Sequence, residues 1–137
     1  MNKGSLITAI FIALFFVFGC TNNCQEISAK GIDGLIVLGE SGSNFEREKL
    51  ANIDIYYSLK EGRVNSIVIS SKEFCTVEGI RVGSIIKQYK KELQEISGIG
   101  EIKKSNTKIS SFERHLTQEG VYIISTGGVV TSLFISE

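Results

Sequence analysis

The chain has 137 residues, enough for one ordinary domain. Its 15 Lys and Arg balance 15 Asp and Glu, which argues against a nucleic-acid binder, whose footprint is a basic excess. Hydrophobic residues are 42% of the chain, so it can bury a core, while one His and no Trp or Pro leave little material for chemistry.

Met1-Asn2-Lys3 carries the one early positive charge, and Leu6–Phe18 is apolar except for Thr8. That run is shorter than the roughly 20 residues a membrane-spanning helix needs. It matches the apolar region of a secretory signal, about 7–15 residues long. It ends in Val17-Phe18-Gly19-Cys20. A small residue directly before a cysteine, after an apolar run, resembles the lipobox of bacterial lipoproteins. The resemblance implies cleavage before Cys20, diacylglycerol on its sulfur and a lipid bilayer as partner; Phe18 is bulkier than the usual residue there. Thr21 stands where an aspartate would favour inner-membrane retention. By the same resemblance the location is the cell envelope, on the outer membrane facing the periplasm if the host has one. An uncleaved anchor, or an ordinary signal with an incidental cysteine, are the plainer alternatives. The division expected is a signal peptide over 1–19, a lipidated tether over 20–31 and a single domain over 32–137.

With Cys20 acylated, Cys24 and Cys75 remain, an even number in an exported chain. They either form a disulfide or stay apart, Cys75 then being a small buried hydrophobe and Cys24 a free thiol. Spacing does not decide between these. No paired Cys or His spacing suggests a metal site, and no cofactor motif occurs.

The run Gly34–Gly39 predicts a short strand between glycines. Ser43 with Glu46 three residues on forms a capping-box pattern for a short helix to about Ala51. Ile53–Ser71 then alternates on both sides of Lys60-Glu61-Gly62, a hairpin with an expected three-residue loop and a left-handed Gly62. This register places Ile53, Ile55, Tyr57, Leu59, Ile67 and Ile69 on one face. Asp54, Tyr56, Ser58, Val64, Ser66 and Val68 fall on the other. Ile55–Ser71 aligns without gaps to Val121–Glu137, matching Tyr56 to Tyr122, Gly62 to Gly128 and Val64 to Val130. Between them, Ser84 is a good N-cap, and Ile85, Ile86, Tyr89, Leu93 and Ile96 recur at helical spacing. Gly34-Leu-Ile-Val and Gly79-Ile-Arg-Val look faintly alike, so each half reads as a glycine turn, a helix and a hairpin. The second half then carries an insertion within Gly98–Gln118, with one strand near Lys108–His115. The fold class expected is α+β: an antiparallel sheet of at least four strands from two similar hairpins, with one amphipathic helix over 84–96 packed on one face.

The Thr-x-x-Gly-Ile-x-Val-Gly-Ser turn at Thr76–Ser84, the helical stripe and the hairpin resemble SmpA/OmlA-type and β-lactamase-inhibitor-like domains. That resemblance implies helices on one face of a small antiparallel sheet and function through binding other proteins. Those families commonly carry Gly-x-Pro after the helix, and Ser97-Gly98-Ile99-Gly100 has no proline.

His115 lies between Arg114 and Leu116 with no recognisable nucleophile motif, and reads as a surface or edge-strand residue. The glycine pairs lack a phosphate-loop lysine or dinucleotide spacing. The expectation is a non-catalytic, lipid-anchored module that binds an envelope protein. A small ligand carrier or enzyme with an unrecognised site is the alternative, and an immunity or inhibitor protein is a special case of the first reading. The expected binding face carries Tyr56, Val64 and Val68 from the first hairpin, and Tyr122, Ile124, Val130 and Phe134 from the second. In the opposing reading that face is a second core, covered by 98–118 or by a helix over 44–51.

Overall fold

The computed structural model describes residues 23–96, 100–104 and 108–137, with side chains left out for 100–104 and 108–111. In chain order the strands begin with β1 Gln25–Glu26, β2 Gly31–Ile32 and β3 Ile36–Val37. A 3-10 turn at Gly42–Asn44 and helix α1 Arg47–Ala51 lead into β4 Ile55–Lys60, β5 Arg63–Ile69 and β6 Phe74–Cys75. After a 3-10 turn at Ile86–Tyr89 come β7 Leu93–Glu95, β8 Gly100–Lys104, β9 Lys108–Thr117, β10 Tyr122–Thr126 and β11 Val129–Ser136.

The main sheet runs β4-β5-β11-β10-β9-β7, antiparallel throughout, and β8 pairs with the first half of β9. β2 pairs with β3, and β1 pairs in parallel with β6, in two small separate sheets. Among the described residues the fold is therefore sheet-rich with one short helix.

The helix expected over 84–96 does not form. Ile86–Tyr89 is a 3-10 turn, Leu93–Glu95 is strand β7 opposite Thr117–His115, and Ser84 caps the Arg81 N–H instead of a helix. The Ile86 N–H donates to Gly128 O (2.9 Å). A helix of this length is marginal by itself, so pairing to existing sheet edges outcompetes it. The core does not need it. Ile27, Ile32, Ile36, Leu50, Phe74, Ile80 and Ile86 cover the inner sheet face, where Ile55, Ile67, Ile69, Ile123, Leu133 and Ile135 are buried. Ile27 and β1 draw the segment expected as tether into the fold from Gln25 onward. Ser43 lies in the 3-10 turn and caps nothing, while Glu46 occupies the N-cap of α1.

Both hairpins turn in two residues, not three. Glu61 and Gly62 have φ of 54° and 77°, Gly127 and Gly128 have φ of 60° and 81°, and both loops have the twist that suits a tight hairpin. Each hairpin also carries an irregularity at the same place, between Ser58 and Leu59 and between Ile124 and Ser125. The extra residue, Asn65 or Thr131, reverses the alternation beyond it. Val64 and Val130 therefore turn into the core, 0% and 1% exposed, and leave the outer face to which the alternation assigned them.

The duplication extends beyond the hairpins. Under an offset of 44 residues, Ile32–Gly42 falls on Thr76–Ile86. The Leu35 N–H donates to Ile32 O (3.0 Å) as Gly79 does to Thr76 O (2.9 Å). Gly39 and Gly83 donate to Val64 O and Val130 O, each at 2.8 Å. Val37 donates to the Glu40 carboxylate, and Arg81 to the Ser84 hydroxyl, each at 3.0 Å. The hairpins follow at an offset of 66 residues, so the second half carries an insertion, and β8–β9 lies within it.

Candidate functional site

The outer face of the main sheet has no covering layer among the described residues. Helix α1 packs on the inner side, where Leu50 is buried and the Arg47 guanidinium sits 4.4 Å from the Tyr57 ring centroid. β9 extends the sheet sideways. Pairing aligns Tyr56 with Val68, Val68 with Phe134, Phe134 with Tyr122, and Tyr122 with Leu116. This row crosses five strands on one face. Tyr56 is 49% exposed, and Val68, Phe134, Tyr122 and Leu116 are half-buried. The Tyr122 and Phe134 rings meet at 5.9 Å and 55°, a tilted contact that aromatic quadrupoles favour.

Beside this row, Val68, Phe112, Ile124 and Phe134 line an open depression of about 450 Å³ with Thr126, Thr131, Ser132 and the guanidinium-bearing Arg114. Tyr56, Val68, Tyr122, Ile124 and Phe134 therefore share one surface, as the alternation placed them. Phe112 and Arg114 are additions that sequence reasoning did not reach. Their signal was the alternation Phe112-Arg114-Leu116, which needed only the pairing of β9 with β10 to assign its face. Hydroxyls border the row: Ser58 bonds Ser66 and the Asn65 side chain.

His115 is neither at the surface nor on an edge. It points to the inner face of β9, 8% exposed, because strand β7 covers the flank of β9. Its Nε2 lies 3.5 Å from Ser125 Oγ and 3.6 Å from Glu113 Oε2. This does not constitute a nucleophile–base–orienter chain, since both contacts use one ring nitrogen and Ser125 is fully buried. His115, Glu113, Glu95 and Lys90 line a separate open cleft of about 390 Å³. No group of three or more metal-binding side chains occurs among the described residues.

Cys24 and Cys75 are joined by a disulfide, Cα to Cα 5.6 Å, beside the β1–β6 pair. Cys20 lies outside the described residues. No helix among the described residues is long and apolar enough to cross a membrane. Comparison with family models, curated proteins and solved structures finds no match to this chain.

Proposed function

We propose that the protein is a lipid-anchored envelope module that binds another protein through the outer sheet face. The observation that carries this reading is the row Tyr56–Val68–Phe134–Tyr122, which no described residue covers, with the apolar depression beside it. Sheet faces left to water normally alternate to polar residues, and this one carries a continuous apolar and aromatic row between its hydroxyls and Arg114. Aromatic groups that are half-buried and held by their neighbours lose little entropy on binding and dominate interface energies. The partner that fits presents an apolar surface with a carboxylate opposite Arg114. Anchoring rests on the Gly19-Cys20 signal and places the face in the envelope.

The test uses the full chain in its host. A photo-crosslinking phenylalanine at Tyr56 is expected to capture one protein, and the same group at Lys49, on α1, is expected not to. The capture is expected to vanish in a folded Tyr122→Ala/Phe134→Ala variant. Equal capture from Tyr56 and Lys49, or full capture by the double variant, ends this reading. Cys20→Ser is expected to release the protein from membranes or leave it unprocessed.

A further inference from the structure

We propose that the corner where the tether enters the domain is a docking surface for anionic phospholipid headgroups, built around Lys72, Arg81 and Ile85. The proposal rests on the lipid-anchored reading and adds an orientation to it.

The first argument is reach. The disulfide fixes Cys24 to Cys75, and Gln25 pairs with Phe74, so the tether meets the domain at one rigid point. Cys20 precedes Cys24 by four residues, which span at most about 14 Å when fully extended. Acyl chains on Cys20 therefore hold this corner within the reach of the headgroup layer. A long flexible tether would impose no such constraint.

The second argument is charge. An open depression of about 640 Å³ at this corner is lined by Asn23, Cys24, Lys72, Arg81, Ser84 and Tyr89 among others, with two cations and no carboxylate. From Arg81 to Lys91 the chain carries no acidic residue although the whole chain is neutral; of its lysines, Lys90 lines the separate cleft with Glu95 and Glu113, and Lys91 lies beside Glu92. Glu26, Glu73, Glu78 and Glu92 are the nearest carboxylates in sequence, and none lines the depression. Clustered cations beside a membrane are drawn to anionic lipid.

The third argument is exposed apolar surface next in sequence to the lining, at Ile85 after Ser84 and at Val77 two residues before Gly79. Ile85 is 49% exposed, in the middle of the basic segment, and Val77 is 50% exposed on the neighbouring loop. An apolar side chain flanked by cations is the pattern of interfacial insertion. The loop layer holding this corner packs on the inner sheet face, so docking turns the Tyr56–Tyr122 row away from the membrane, where a partner reaches it.

The chain contains no Trp, so Ile85→Trp in the full lipidated protein is a single emitter. The protein is reconstituted in phosphatidylcholine vesicles with and without phosphatidylglycerol, with brominated acyl chains as quencher. Emission is expected to shift to the blue and be quenched only with phosphatidylglycerol. A Tyr56→Trp reporter is expected to stay unquenched. Each cation removed, by Lys72→Gln or Arg81→Gln, is expected to shift the docked-to-free ratio roughly fivefold, and high salt acts in the same direction. Lys87→Trp serves as reporter if Ile85→Trp does not fold. Equal quenching in both vesicle types, or none in either while mass spectrometry finds acylated Cys20, overturns the docking and leaves the anchor standing. A full-length chain without acyl mass overturns both.

Discussion

Val68 and Phe134 are cross-strand partners at the junction of the two hairpins, and the offset of 66 residues that relates the hairpins maps one onto the other. Their flanking pairs exchange in the same way: Ile69 with Leu133 and Ile67 with Ile135. A local twofold axis therefore passes between Val68 and Phe134, perpendicular to the sheet. It carries Tyr56 onto Tyr122 and leaves both tyrosines on the outer face. The aromatic surface is thus assembled from one hairpin geometry used twice.

This arrangement separates Leu133 from Phe134 energetically. Leu133 is fully buried, and Leu133→Ala is expected to cost about 2–5 kcal/mol in urea unfolding. Phe134→Ala removes a half-buried ring from the outer face and is expected to cost about 1–2 kcal/mol, in line with partial burial. A Phe134→Ala cost equal to that of Leu133→Ala would mean that the outer face is covered.

One tight-loop geometry recurs at two places that neither the 44-residue nor the 66-residue offset relates. The Ile80 N–H donates to Thr76 Oγ1 (3.1 Å), and the Val121 N–H to Thr117 Oγ1 (3.0 Å), both buried. Thr→Val keeps the shape of each side chain and removes the acceptor. Thr76→Val and Thr117→Val are each expected to cost about 1–3 kcal/mol, with similar values for the two sites. Thermal unfolding of the two variants checks this, and a large difference between them would contradict the equivalence of the loops.

Glu61 occupies a left-handed position that its counterpart Gly127 fills without strain. Asparagine tolerates this backbone better than glutamate, and Asn before Gly is the preferred pair in such turns. Glu61→Asn is expected to stabilise by about 0.5–1 kcal/mol, and Gly127→Glu to destabilise by a similar amount. Denaturant midpoints of the two variants, moving in opposite directions, provide the check.

The hairpins were legible because period-two alternation and turn glycines are local signals. The surface was legible for the same reason wherever the alternation holds: Tyr56, Val68, Tyr122, Ile124 and Phe134 all lie on the strand side of the irregularities. Val64 and Val130 were assigned to the wrong face because one inserted residue reverses alternation without leaving a mark in hydrophobic spacing. The helix over 84–96 was misread because Ile86, Tyr89 and Leu93 need only reach the core. A 3-10 turn followed by a strand does that as well as a helical stripe. The partner of that strand is set by an insertion that creates β9, a long-range pairing invisible to a window of a dozen residues. The buried position of His115 followed from the same pairing. The basic corner at Lys72 and Arg81 was readable only in part. The run from Arg81 to Lys91 lacks acidic residues, but Lys72 joins it through the fold alone.

The disulfide yields the last prediction, because it acts on stability and on the tether separately. Cys24 and Cys75 are 51 residues apart, and closing a loop of that size stabilises by about 4 kcal/mol in the chain-entropy model. Cys24→Ser/Cys75→Ser is therefore expected to lower stability by roughly that amount, measured as the urea midpoint with and without reductant. The folded state that remains is expected to loosen first at β1. Gln25–Glu26 is a two-residue strand with both residues exposed, and its hold on the fold is the pairing to β6 and the burial of Ile27. Amide exchange at Ile27, whose N–H donates to Cys75 O (2.8 Å), is expected to accelerate in the double variant well before exchange at Ile67 or Leu133 in the central strands. Ile27 exchange that follows the central strands in both proteins would show that β1 is held by packing alone, with the disulfide adding nothing local.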